Sequence, residues 1–125
     1  HLYIHATEAS PEPGRADDAA DRLRGAQPAL GHLLHMPSHI DIRRGRWKEA
    51  VEANRAALAA DGAYQKTVPE QGFYRLYMAH NYHMLAFAAA MQGQSELALK
   101  HLREMTAGVP KEWLAVKENA AIADG

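Results

Sequence analysis

The chain contains no cysteine, has a formal net charge of only −1 and lacks any long apolar run. Without cysteine, disulfides, thiolate zinc sites and thiol nucleophiles are excluded. The near-neutral charge argues against nucleic acid, whose binding needs a basic surface. No segment approaches the roughly 18 apolar residues that span a bilayer. We therefore expect no nucleic-acid and no membrane partner, and the compartment stays open with the cytoplasm favoured.

β-branched residues are also scarce, and no window alternates between apolar and polar residues with a period of two. This pattern predicts essentially no sheet. Hydrophobic residues make up 47% of the 125 residues and charged residues 23%, so the chain can bury a core. The sequence predicts one all-α domain over residues 1–125.

Glycine and proline divide the chain into helical segments. Pro28 opens one predicted helix and Gly45 ends it, while Asp61 and Gly62 close the next. The predicted helices cover 1–9, 15–26, 28–44, 47–60, 73–91, 96–107 and 110–123, with longer loops at 10–14 and 63–72.

Histidines recur at a fixed offset. His35 and His39 lie 34 residues after His1 and His5, and a later helix adds another histidine pair. A period of 34 residues is the length of one tetratricopeptide unit, in which two helices form a hairpin that stacks on its copies. The recurrence therefore predicts both a repeat architecture and a surface that carries imidazoles.

The turns and second helices resemble the tetratricopeptide signature, in which a glycine precedes an aromatic residue, alanines and a large residue. The matching positions are Gly45, Arg46, Trp47, Ala50, Asn54, Ala57 and Leu58, and then Gly93, Gln94, Ser95, Ala98, Leu102 and Met105. Asn54 departs from the pattern where a large apolar residue is usual, and Ser95 departs where an aromatic residue is usual.

This resemblance covers about residues 1–107, with an insertion between the second and third units. It implies a right-handed superhelix of antiparallel helix pairs, with approximate hairpins at 1–27, 28–62 and 72–107 and a terminal helix at 110–123. The histidine segments are similar to those in a group of large bacterial tetratricopeptide proteins. Because the chain starts with a histidine inside a predicted helix, we expect a fragment of a larger protein, which could dimerise through exposed solenoid ends.

In the family, the first helix of each pair lines a concave groove, so the resemblance implies a scaffold that binds a protein or peptide partner there. The implied groove residues are His35, His39, Arg43, His80, Asn81, His83 and Phe87. No nucleophile elbow, phosphate-binding glycine loop or His-Glu-x-x-His motif is present, so no catalytic residue is predicted and an enzyme is not favoured.

A second interpretation assigns the histidines to a transition metal, alone or within a metalloenzyme. Imidazoles three or four residues apart present two ligands from one helix to zinc, nickel or copper. The candidate ligands are His1, His5, Glu8, His35, His39, His80 and His83. Neighbouring helix axes lie about 8 to 10 Å apart, which is near the limit for imidazoles that share one ion.

A competing interpretation gives the same histidines only a packing role, with hydrogen bonds to backbone, to Ser38, to Asn81 or to tyrosines. Pro37 affects both interpretations, because it must either kink a helix or mark its start. If the helix starts at Pro37, His35 does not share a regular stripe with His39. The sequence leaves these alternatives open.

Overall fold

The structure, a computed structural model, describes residues 1–110 and 113. The secondary structure of these residues is helical, without strands, which confirms the predicted all-α class. The elements are α1 (Leu2–Glu8), a 3₁₀ helix (Pro13–Ala16), α2 (Asp17–Leu23), α3 (Gly31–His35), α4 (Pro37–Arg44), α5 (Trp47–Thr67), α6 (Tyr74–Met91) and α7 (Ser95–Gly108). The terminal helix predicted at 110–123 falls outside the described residues, apart from positions 110 and 113.

Helices α5, α6 and α7 pack in sequence and enclose an alanine-rich core. Small side chains let the helix backbones approach closely, and Leu85 fills the remaining space as a fully buried side chain. The buried residues of this core are Ala50, Val51, Leu85, Ala86, Ala88, Ala89 and Ala98. Among the described residues, no helix has the length and hydropathy needed to cross a membrane.

A second core forms where α1, the 3₁₀ helix, α2 and the α3–α4 segment meet. Ile4, Met36 and Ile40 are fully buried there, and two alanines of the 3₁₀ helix and α2 pack against them. This core holds α1 against α4, while α3 packs against both α5 and α6. The histidine-bearing helices α1, α3, α4 and α6 are therefore brought to one region.

The two predicted turn glycines have left-handed backbone conformations. Gly45 has a φ of 70° and Gly93 a φ of 73°, a region that favours glycine over residues with a Cβ. The buried Asp41 fixes the first of these turns, since its carboxylate pairs with Arg24 at 2.6 Å and with Arg46 at 2.9 Å. The first contact joins α4 to the residue that follows α2, and the second closes the turn between α4 and α5.

The prediction that a helix closes at Asp61 and Gly62 is wrong, because α5 continues to Thr67. Gly62 costs helix stability of about 1 kcal/mol relative to alanine. Tertiary contacts outweigh this cost: the buried Asp61 carboxylate accepts hydrogen bonds of 2.7 Å from Tyr74 and from Asn81. The predicted loop at 63–72 is correspondingly shorter.

Two helix starts in the first half of the chain also differ from prediction. The segment predicted as one helix over 15–26 is a 3₁₀ turn followed by α2, which ends at Leu23. Pro28 does not open a helix, since α3 begins at Gly31. At Gly31 the backbone lies so close to Asp61 that an added Cβ would be 1.9 Å from a carboxylate oxygen, so only glycine fits the observed packing.

Pro37 is the first residue of α4 and therefore marks a helix start. Met36, the residue between α3 and α4, has φ −50° and ψ −40°, which are helical angles. The chain thus continues in nearly the same direction across the break. His35 and His39 consequently remain on adjacent turns, although they belong to different helices.

Candidate metal centre

Three helices bring His35, His39 and His80 to one point. His35 ends α3, His39 lies in the first half of α4, and His80 lies in the first half of α6. One ring nitrogen from each residue lies within 4.8 Å of the others. His35 is fully buried and the other two are partly buried, so we call these three residues the inner triad.

Asn54 fixes the orientation and tautomer of His35. The amide Nδ2 of Asn54 donates to the carbonyl of Ala50 at 2.9 Å, which leaves its Oδ1 to face the ring. Because a carbonyl oxygen only accepts, His35 Nδ1 donates its proton to Oδ1 across 2.7 Å. A neutral His35 therefore has a bare lone pair on Nε2.

Glu8 orients His39 in the same way. Its Oε2 pairs with Nδ1 of His39 from the end of α1, so that nitrogen carries the proton. The Nε2 atoms of His35 and His39 then face each other 2.8 Å apart. With both Nδ1 atoms protonated, two lone pairs meet at this contact. A proton between the two nitrogens fits this distance, whereas a shared metal ion requires the two rings to move apart.

The surroundings of the inner triad disfavour protonation of its imidazoles. Burial, followed by the neighbouring His39, lowers the pKa of His35 from 6.5 to about 2. Burial, with His39 and His83 nearby, lowers the pKa of His80 to about 4. Burial also lowers the pKa of His39, although Glu8 acts in the opposite direction. At neutral pH the triad offers uncharged imidazoles, the form that binds metals.

A second group of histidines adjoins the first. His1, His5 and His32 each place a ring nitrogen within 4.8 Å of the other two, and we call them the outer triad. Nε2 of His1 and Nε2 of His32 are 2.9 Å apart. His1 and His5 are exposed and His32 is partly buried, so this group lies nearer to solvent than the inner triad.

The remaining predicted site residues lie outside both triads. Arg43 donates to the backbone carbonyls of Glu8 at 2.7 Å and Ser10 at 3.1 Å, and so satisfies the carboxyl end of α1. His83 has its ring centre 6.5 Å from that of His80. Phe87 packs edge-on against an aromatic ring of α5, and Asn81 is fully buried against Asp61.

Sequence patterns did not identify two residues of this region, His32 and Asn54. His32 falls off the four-residue stripe, and it reaches the outer triad because α3 begins only at Gly31, where the close contact with Asp61 holds it. Asn54 offered a signal: a polar amide occupies a position where the tetratricopeptide pattern has a large apolar residue. A buried amide needs a partner, and here that partner is His35.

Comparisons with family models, with curated proteins and with solved structures gave no match.

Proposed function

We propose that the protein binds a divalent transition-metal ion, zinc in the first instance, through His35, His39 and His80. The observation that carries this proposal is the convergence of three ring nitrogens within 4.8 Å, two of them with their Nδ1 atoms already bonded to oxygen acceptors. Metal-ligating histidines have this arrangement, because an oxygen on the far nitrogen sets the tautomer and turns the lone pair toward the ion.

The three ring nitrogens lie within 4.8 Å of one another, so the side chains have to adjust before they share one ion. Zinc–nitrogen bonds are about 2.0 to 2.1 Å, so two nitrogens at a tetrahedral ion are about 3.3 Å apart. His35 and His39 have to separate by about half an ångström from their 2.8 Å contact, which a small side-chain rotation accomplishes. Imidazole and carboxylate surroundings without thiolate also suit copper and nickel.

Three histidine ligands keep a fourth position for water, as catalytic zinc ions do. A metalloenzyme is therefore the extension of this proposal, with the bound water as the reactive group. Glu8 is the nearest carboxylate of the inner triad, through its bond to His39.

Calorimetric titration of the chelator-treated full chain with zinc tests the proposal. We expect the tightest binding phase to correspond to one ion per chain, and we expect His39→Ala and His80→Ala to weaken this phase at least a hundredfold. The matched control is His101→Ala, because His101 lies on α7 and pairs with Glu104 away from both triads. Far-ultraviolet circular dichroism verifies that each variant folds. Unchanged tight binding in folded His39→Ala and His80→Ala protein would refute the assignment.

A second candidate function is the groove-binding scaffold that the tetratricopeptide resemblance implies. We propose that the helix pairs stack into a right-handed superhelix and bind a protein or peptide partner. The sequential packing of α4, α5, α6 and α7 supports it, as do the two left-handed turn glycines, Gly45 and Gly93. A recess of about 420 Å³ next to His32 supports partner binding, since Leu30 and Tyr64 on its wall are exposed.

Peptides selected on the immobilised, zinc-free protein test the scaffold. We expect Leu30→Asp to weaken their binding at least tenfold and the exposed Tyr3→Asp to leave it unchanged. Peptides that bind Leu30→Asp as tightly as the unaltered protein would exclude the recess as their site.

A further inference from the structure

The outer triad has the composition of a metal site in its own right. We propose that His1, His5 and His32 bind a second transition-metal ion, and that this ion and the inner one form a two-ion centre linked by Glu8. The inference rests on the proposed function of the inner triad. It adds a second ion of the same class, zinc, copper or nickel, with different access to solvent.

The grouping of the ring nitrogens supports a separate ion, since each triad gathers three of them within 4.8 Å. The ring of His1 lies 5.0 Å from the rings of His5 and His32, measured between centres. The ring centres of His5 and His32 are 6.3 Å apart, and across the two triads those of His5 and His39 are 5.4 Å apart, so the two groups adjoin each other. The two groups share no residue, and each supplies three nitrogens, so two ions account for the six imidazoles better than one does.

Glu8 connects the two groups. Its Oε1 accepts a hydrogen bond of 2.9 Å from Nδ1 of His5, and its Oε2 pairs with Nδ1 of His39. One carboxylate thus sets the tautomer of a histidine in each triad and leaves Nε2 of both rings for metal. Its negative charge also offsets part of the repulsion between two nearby dications.

The two ions would differ in their access to solvent. The inner ion would lie beside a fully buried imidazole, whereas His1 and His5 of the outer triad are exposed. His32 also lines the recess of about 420 Å³. An outer ion therefore keeps water ligands and faces an open space, which makes it the exchangeable ion of the pair.

The test counts ions on the full chain by equilibrium dialysis and elemental analysis. We expect two zinc ions per unaltered chain and two in the control His101→Ala. His32→Ala and His5→Ala should each retain one tight ion and bind the second at least tenfold more weakly. One ion in the unaltered chain, or a second ion that His32→Ala leaves unchanged, would overturn the inference while the inner site stands. Failure of any zinc to bind would refute the proposed function itself.

Copper(II) tests the link between the sites. With one equivalent, electron paramagnetic resonance should show an isolated ion, and with two equivalents a signal broadened by coupling between neighbouring spins. The coupling should be absent from His32→Ala. Two equivalents that give only isolated signals would exclude a two-ion centre.

Discussion

The inner and outer triads contain the same three side chains and nearly the same shortest nitrogen contact, 2.8 Å against 2.9 Å, yet their surroundings differ. In the inner triad two rings are oriented by oxygen acceptors, and burial keeps the imidazoles neutral. In the outer triad only His5 has an oriented ring, and two of the three residues are exposed. If both triads bind metal as proposed, burial and the second partners of the rings, more than the identity of the ligands, would make the inner site the tighter one.

Glu8→Gln should have the largest effect, because it alters both triads at once. A neutral amide cannot accept from both Nδ1 atoms, so His39 and His5 lose their common acceptor. We expect inner-site zinc affinity to fall about a hundredfold and outer-site affinity about tenfold, as measured by competition with a zinc chelator dye. Glu12→Gln, an exposed partner of Arg15, serves as the control. Equal zinc affinities in Glu8→Gln and Glu12→Gln would show that Glu8 takes no part in the centre.

Asn54→Leu should weaken metal binding at the inner triad and leave the outer triad unaffected. The substitution installs the apolar residue usual in the tetratricopeptide pattern and removes the acceptor of His35 Nδ1. We expect the inner site to weaken by about ten- to a hundredfold while the outer site keeps its affinity. Arg55→Leu, on the exposed side of the same helix, should change neither site. Loss of zinc from the outer site alone would contradict the assignment of Asn54.

Acid should destabilise the metal-free protein through the inner triad. Below pH 6.5 the imidazoles of the unfolded chain become protonated. In the folded chain His80 becomes protonated only at about pH 4 and His35 only at about pH 2. Stability is thus complete above pH 6.5 and falls as the pH drops, by at most about 1.4 kcal/mol per pH unit for each group. Urea unfolding at pH 7.5 and 5.5 measures the difference.

The variant His80→Gln provides the control for this pH dependence, because it removes one of the imidazoles whose pKa is lowered in the folded chain. Its stability should fall less steeply with acid than that of the unaltered chain. An unfolding free energy that is the same at both pH values would show that the inner imidazoles are not held neutral.

His83→Ala should have the smallest effect. The spacing of three residues from His80 makes His83 a candidate ligand in the sequence, whereas its ring centre lies 6.5 Å from that of His80 and outside both triads. We expect zinc affinity at each site to change less than twofold. A tenfold loss of zinc affinity at the inner site would show that His83 is a ligand, as its spacing from His80 in the sequence suggests.

Local signals predicted the helical class and several helix ends, because glycine and proline act within a few residues. Gly45 and Gly93 end helices as expected. The end of α5 was not predictable in this way, since Asp61 is held by hydrogen bonds from Tyr74 and Asn81, which come later in the chain. Contacts of this kind have no signature in the local pattern.

The candidate site was also only partly predictable from local sequence patterns. Regular spacing identified His35 and His39 as neighbours, and the structure adds that their helices break at Met36 without moving them apart. His32 could not be found by spacing, because its position depends on how α3 packs against α5 and α6. Glu8 was recognised as three residues from His5, but its second bond, to His39, depends on the packing of α1 against α4.

The convergence of α1, α3, α4 and α6 on the two triads would give a bound ion a mechanical role in a chain that has no disulfide. An ion held by His39 and His80 would cross-link positions far apart in sequence and so restrict the unfolded ensemble. In the chain-entropy account, a link that closes a segment of this length is worth about 4 kcal/mol. Metal supply would then control how long the folded chain survives, in addition to what it binds.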